Sequence, residues 1–146
     1  MNELQRLSII GSLRDLKARY CRLADQKRWD DVAALFTEDA SMCFYDATGG
    51  ILLEIYGRAD FATTVKQAVA TGLAIHHVFT GEFEIVSTTE ARAVWAMEDR
   101  ILQPLGSGMA YSVMHGYGHY HEAYRKVGDS WLIAHLKQTR LKLDFK

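Results

Sequence analysis

Cysteine and proline are scarce in this chain: Cys21 and Cys43 are its only cysteines and Pro104 its only proline. Two thiols without metal-ligand spacing exclude a disulfide framework and a cysteine zinc site, and they read as buried thiols in a reducing compartment. The expected address is therefore the cytoplasm. A surplus of charge is missing too. The formal net charge is -1, with Lys and Arg spread along the sequence, so there is no basic footprint for nucleic acid. No apolar run approaches the length of a membrane span, and the opening MNELQRLSII lacks a signal-peptide layout. A G-x-S-x-G elbow, a Gly-rich phosphate loop, internal repeats and low-complexity tracts are absent as well, which argues against nucleophilic hydrolysis and nucleotide binding.

What is present fits one domain, residues 1–146, with a real core: 49% of the residues are hydrophobic. Ile9, Leu13, Leu16, Tyr20, Leu23 and Ala24 recur at three- and four-residue spacing, so residues 4–27 are expected to form a long amphipathic helix. RWDDVAALFTEDA follows as a second, short helix, with Asp30 as cap and Val32, Leu35 and Phe36 as its apolar face. SMCFY and ILLEIY, on either side of a DATGG turn, read as strands. After Gly57 comes a third helix with Asp60 as cap and Phe61, Val65, Ala68 and Val69 inward. From Ile75 onward the pattern is all strand: HHVFTGEFEIVS, ARAVWAMEDRIL, YSVMHGYGHYHEAYRK and WLIAHLKQTRLKL. Helices first and an antiparallel meander last give an α+β class. The expectation is a strongly curved antiparallel sheet wrapped as a cone around the long N-terminal helix, with two further helices. The concave side of such a cone is half core and half pocket.

Several residues there could carry chemistry. His76 and His77 stand just before a strand, and imidazole exchanges protons nearer neutrality than any other unperturbed side chain. Strict alternation back from Phe83 and Ile85 puts His77 on the core face. A bulge near Thr80–Gly81 would put His76 there instead. Asp25 falls on the edge of the first helix's apolar stripe, where it either faces the cavity or pairs with Lys27 or Arg28 in solvent. Ala91, Ala93, Trp95, Met97 and Asp99 alternate onto one face, so Asp99 is expected inward, where an acid needs a partner. In HGYGHYHEAY, Tyr117, His119 and His121 share one face while Tyr120, Glu122 and Tyr124 share the other. His119 and His121 have a spacing open to a metal, but a third donor from Asp99, His76 or Glu98 would need strands to converge, so no metal is expected. Gly116 and Gly118 read as sites of a bulge or of close packing.

Two stretches resemble a known family. LRDLKARYCRLADQKRWDDVAALFTEDA carries D-x-x-x-W-D and then F-T-E-D-A, and GHYHEAYRKVGDSWLIAHLKQTRL carries Y-R-K, a turn and W-L-I. Together they are similar to the SnoaL-like branch of the nuclear transport factor two-like superfamily, over nearly the whole chain. The resemblance implies that superfamily's cystatin-like α+β cone. It also implies an Asp–His dyad, because scytalone dehydratase and lindane dehydrochlorinase use one for elimination. Their aspartate lies in a segment similar to ADQKRWD, which falls on Asp25. Their histidine precedes a strand similar to EFEIVS, which falls on His76, with His77 as the alternative. The pattern departs at Ala24, where scytalone dehydratase has a tyrosine, and at Glu98, Asp99 and Arg100, which offer no counterpart to its second histidine. Tyr45 stands one residue off that enzyme's other tyrosine. The implied dyad thus carries over while the substrate does not.

The resulting expectation is a cofactor-free lyase or isomerase, dehydratase-like, acting on a small hydrophobic molecule, cyclic ones included. His76 would remove or shuttle a proton and Asp25 would orient its ring. Tyr45, Asp99, Tyr117 and His119 are candidates to hold polar substrate atoms, and Trp29, Phe44, Trp95 and Met97 to form the apolar wall. Two alternatives stay open: polyketide-cyclase-type aldol ring closure, and a non-catalytic small-molecule-binding or dimerisation module. A homodimer or higher homo-oligomer is expected through the outer sheet face, which would carry Val94, Ala96, Leu132 and Leu136. Neither nucleic acid nor a membrane is an expected partner.

Overall fold

The computed structural model describes residues 1–146. Helix α1, Glu3–Asp25, starts at a capping box in which Asn2 and Gln5 satisfy each other's main-chain N–H groups. It ends two residues earlier than the periodicity suggests. Arg28 N–H donates to Leu23 O at 2.9 Å and Lys27 N–H to Ala24 O at 3.0 Å, with Lys27 at φ 58°. This paired closure usually has glycine in that left-handed place. It makes Asp25 the last helical residue.

Helix α2 is a single turn, Trp29–Ala33, and Asp30 lies inside it rather than capping it. The expected extension to Phe36 does not form, because Phe36 opens strand β1, Phe36–Tyr45. Strand β2, Ile51–Tyr56, returns from the DATGG turn, where Asp46 accepts from the main-chain N–H of Thr48 and of Gly50. A 3-10 turn, Arg58–Asp60, leads into α3, Phe61–Val69, and Asp60 makes no side-chain cap bond. Phe61 and Val69 are buried, whereas Ala68 is exposed.

Four long strands follow: β3 Leu73–Ile85, β4 Glu90–Leu102, β5 Val113–Val127 and β6 Ser130–Phe145. The sheet order is β2-β1-β6-β5-β4-β3. Every ladder is antiparallel except β1–β6, which is parallel, so the sheet is mixed. Reading the sequence as a meander missed this because β1 pairs with a strand nearly a hundred residues away. Helix α1 covers the concave face, and its Leu13, Leu16 and Tyr20 join Phe36, Met42, Trp95, Tyr124 and Ile133 in the main core cluster.

Bulges decide which side chains enter the cone. In β3 the register slips between Val78 and Gly81, so that Phe79 and Thr80 oppose the single residue Ala96. Both the even positions before this bulge and the odd positions after it then face inward. In β6, Ala134 is the extra residue between Ile133 and His135. It turns Leu136 inward, where it is fully buried. Leu136 therefore belongs to the core and not to the outer face.

Candidate functional site

A cavity of about 270 Å³ opens between α1, α3, β2 and the concave sheet. Its wall is mostly apolar, with Trp29, Phe44, Leu53, Phe61, Val69 and Ile101 among its members, and exposed Leu52 and Ala68 lie on its rim. Its polar members are His76, Asp99, Arg140, Gln138, Tyr20 and Tyr120.

The β3 bulge brings His76, rather than His77, to this wall. β3 is the edge strand of the sheet, so alternate N–H groups have no strand to pair with. That of His76 donates to Asp25 Oδ1 at 2.9 Å, and its ring Nδ1 lies 2.8 Å from the same oxygen. The His76 side chain is 15% exposed and that of Asp25 is 33% exposed. An ionised carboxylate only accepts, so the bonded arrangement puts the ring proton on Nδ1 and leaves the Nε2 lone pair free. Asp25 stands behind the imidazole and is not part of the cavity wall. His77 is exposed on the other side of the strand.

Asp99 is the cross-strand partner of His76, which places the two side chains side by side on the inner face. It does find a partner there. Arg140 reaches it from β6 with both terminal nitrogens, one bond measuring 2.9 Å, and both side chains are 6% exposed. Gly116 lies between them, and a Cβ there would collide with Arg140 and come within 2.9 Å of Asp99 Oδ1. Gly116 is therefore the slot through which the ion pair forms. Gly118 marks a second register slip and packs against the Thr139 main chain. Burial works against the Arg140 charge, but the Asp99 carboxylate prevails and holds its pKa above the ordinary value.

The remaining expected contacts lie elsewhere. Trp95 and Met97 face inward but are packed in the core: Trp95 donates to Tyr124 Oη at 2.9 Å, and Met97 Sδ lies 3.9 Å from Gln138 Nε2. Tyr45 sits on the outer side of β1, near the Lys137 ammonium, with a pKa raised by its neighbour Cys43. Tyr117 and His119 also point outward, because in β5 the buried phase is that of Met114, Gly116, Gly118, Tyr120, Glu122 and Tyr124. The sheet thus separates His119 and His121 from Asp99 and His76, whereas Glu98 shares their outer face and is paired with the His115 ring at 2.7 Å. His121 is instead held by the Thr139 hydroxyl at 3.0 Å.

Four polar cavity residues escaped the sequence reading as site members: Tyr20, Tyr120, Gln138 and Arg140. For Tyr120 the signal was present, since it shares its phase with the two glycines. Gln138 and Arg140 were hidden by the Ala134 bulge, which strict alternation cannot anticipate.

Known proteins resemble this chain in sequence and in fold. A family model described as the SnoaL-like domain matches residues 5–137. A curated relative from Gibberella zeae, named probable cyclase FGR4, is 30% identical over 133 residues and covers 86% of each chain. Among solved structures, a scytalone dehydratase candidate from Novosphingobium aromaticivorans superposes with a TM-score of 0.82, covering 97% of this chain and 90% of the other at 18% identity. A hexachlorocyclohexane dehydrochlorinase, LinA type 3 of Novosphingobium barchaimii, gives a TM-score of 0.77 at 15% identity, covering 99% and 94%. At such identities these two likenesses establish the fold alone.

Proposed function

Because the chain belongs to the SnoaL-like family, we propose that it is a cofactor-free acid–base enzyme in which His76 moves a proton of a small, mostly apolar molecule. The observation that carries this reading is the Asp25–His76 contact at the wall of an apolar cavity. His76 Nε2 takes a proton from the substrate. The Asp25 carboxylate holds the ring in the competent tautomer and balances the charge it acquires. Loss of a group from the neighbouring atom makes the reaction an elimination, and return of the proton elsewhere makes it an isomerisation. The cavity volume lies just below the usual range for ligand sites, which suits molecules of one or two rings.

Ring closure is the second reading, and the curated relative named as a cyclase favours it. It needs the same proton removal, followed by attack of the carbanion on a second carbonyl of the same molecule.

Incubation in D₂O with small cyclic ketones, alcohols and halides tests the shared step. Wild-type protein should catalyse deuterium uptake, elimination or ring closure that His76→Ala lacks. Equal rates with and without His76 would contradict the reading.

We also propose self-association through the outer sheet face. With Leu136 removed from that set, Val94, Ala96 and Leu132 remain there, and the structure adds Phe79 and Tyr117, all at least partly exposed. A monomer mass by light scattering at micromolar concentration would contradict it.

A further inference from the structure

Helix α3 walls the cavity with Phe61, Val65, Ala68 and Val69, but its two ends are fastened very differently. The leading end is tied firmly to β1. Gly57 N–H donates to Ala40 O at 2.7 Å, and Arg58 Nη1 donates to Phe36 O at 3.1 Å. The Phe61 ring packs on that of Phe36, with centroids 5.0 Å apart. Along the helix little else is enclosed: Phe61 and Val69 are its only buried residues.

One hydrogen bond ties the trailing end to the sheet. Gln103, just past β4, donates from Nε2 to Val69 O at 3.2 Å. The same nitrogen reaches the Tyr111 hydroxyl at 3.3 Å, while Gln103 Oε1 is buried without a partner. Gly72 passes close beneath, where a Cβ would lie 2.8 Å from Gln103 Nε2 and 2.6 Å from Ile101 Cγ2. Between these points Ala70 is held at φ 53° and ψ -124°, a combination that belongs to glycine. Such strain persists only where the surroundings impose it.

Two forces therefore act against this fastening. Releasing the trailing end relaxes Ala70, and it opens Gln103 Oε1 to water, which removes the cost of a buried acceptor left unpaired. Against them stand one hydrogen bond and the burial of Val69. We propose that α3 is a lid whose trailing half swings about the Phe61 end to admit ligands, with Gln103 as its latch. Ala68 on the moving half and Leu52 on β2 already form the exposed rim of the cavity, so the swing widens an existing mouth. The proposal concerns entry alone and stands whether or not His76 is a base.

The probe is 4-nitrotoluene, a one-ring apolar quencher whose arrival Trp29 in the cavity wall reports by loss of fluorescence in stopped flow. In the wild type the observed rate should level off with rising probe concentration, at the rate of lid opening. Gln103→Ala should raise association and dissociation alike by about fivefold, the worth of one hydrogen bond, with Kd nearly unchanged. Ala70→Gly removes strain from the closed form only and should slow both. Hydrogen exchange of the α3 amides should follow the same order, with the β5 amides unaffected. Equal entry rates in the three proteins, a shift in Kd without faster association, or no quenching of the wild type at millimolar probe would overturn the proposal.

Discussion

A single oxygen, Asp25 Oδ1, takes both the main-chain N–H of His76 at 2.9 Å and its ring Nδ1 at 2.8 Å. The last residue of the long helix thereby closes an open position on the sheet edge and fixes the imidazole in the same contact. The two functions are inseparable in this geometry. The neutral His76 ring should carry its proton on Nδ1, which ¹⁵N long-range correlation spectra distinguish from the other tautomer. Asp25→Asn should remove that preference, since an amide both donates and accepts. A tautomer mixture in the wild type would contradict the assignment.

The Lys17–Glu122 pair is wholly buried, and Lys17 is also pinned between two aromatic rings. Lys17→Met leaves a carboxylate without its counter-charge in the core and should cost about 3–5 kcal/mol in urea unfolding. Adding Glu122→Gln should restore much of the loss, because no buried charge then remains. A single-variant cost below about 1 kcal/mol would show that the pair is not held as described.

Two non-glycine residues have positive φ, Lys27 at 58° and Ala70 at 53°. Each ends a helix. Glycine has no Cβ to strain there, so Lys27→Gly and Ala70→Gly should each stabilise the protein by about 1 kcal/mol. For a chain of this size that is a rise in Tm of about 3–4 °C. A fall in Tm for either variant would count against the backbone geometry at that turn.

His121 gives the outer face a pH dependence. Burial first, then the Lys137 and His119 charges, hold its pKa below the ordinary value near 6.5. The unfolded chain therefore binds this proton more readily than the folded one. Its contribution is fully present above the unfolded pKa and is lost as pH falls through the folded one. Urea unfolding followed from about pH 8 to about pH 5 should show stability declining on the acid side, less steeply in His121→Gln. An identical slope in the two proteins would remove His121 as a cause.

Much of the fold and part of the site could be read from the residues. The apolar spacing of Ile9, Leu13, Leu16 and Tyr20 marks α1, and the alternation of Ala91 to Asp99 sets the inner face of β4 correctly. Gly81 marked a bulge, and that bulge is what turns His76 inward. Single-residue insertions with no glycine to flag them stayed illegible. The Ala134 bulge moved Leu136, Gln138 and Arg140 to the inner face. In β5, the conspicuous Tyr117, His119 and His121 drew attention to the wrong side of the strand, while the buried phase is that of Tyr120 and Glu122. Polar residues are easy to notice in a sequence, but the small residues opposite them reveal which face is enclosed.

The central claim, that Asp25 and His76 work as one acid–base unit, is tested most directly by the turnover of three variants on a substrate found in the exchange screen. Asp25→Asn and His76→Ala should each lower kcat by about 10²–10⁴-fold with the fold intact by circular dichroism. The double variant should be no slower than the slower single one, since groups acting as a unit give non-additive losses. Full activity in both single variants, or losses that multiply in the double, would contradict the account.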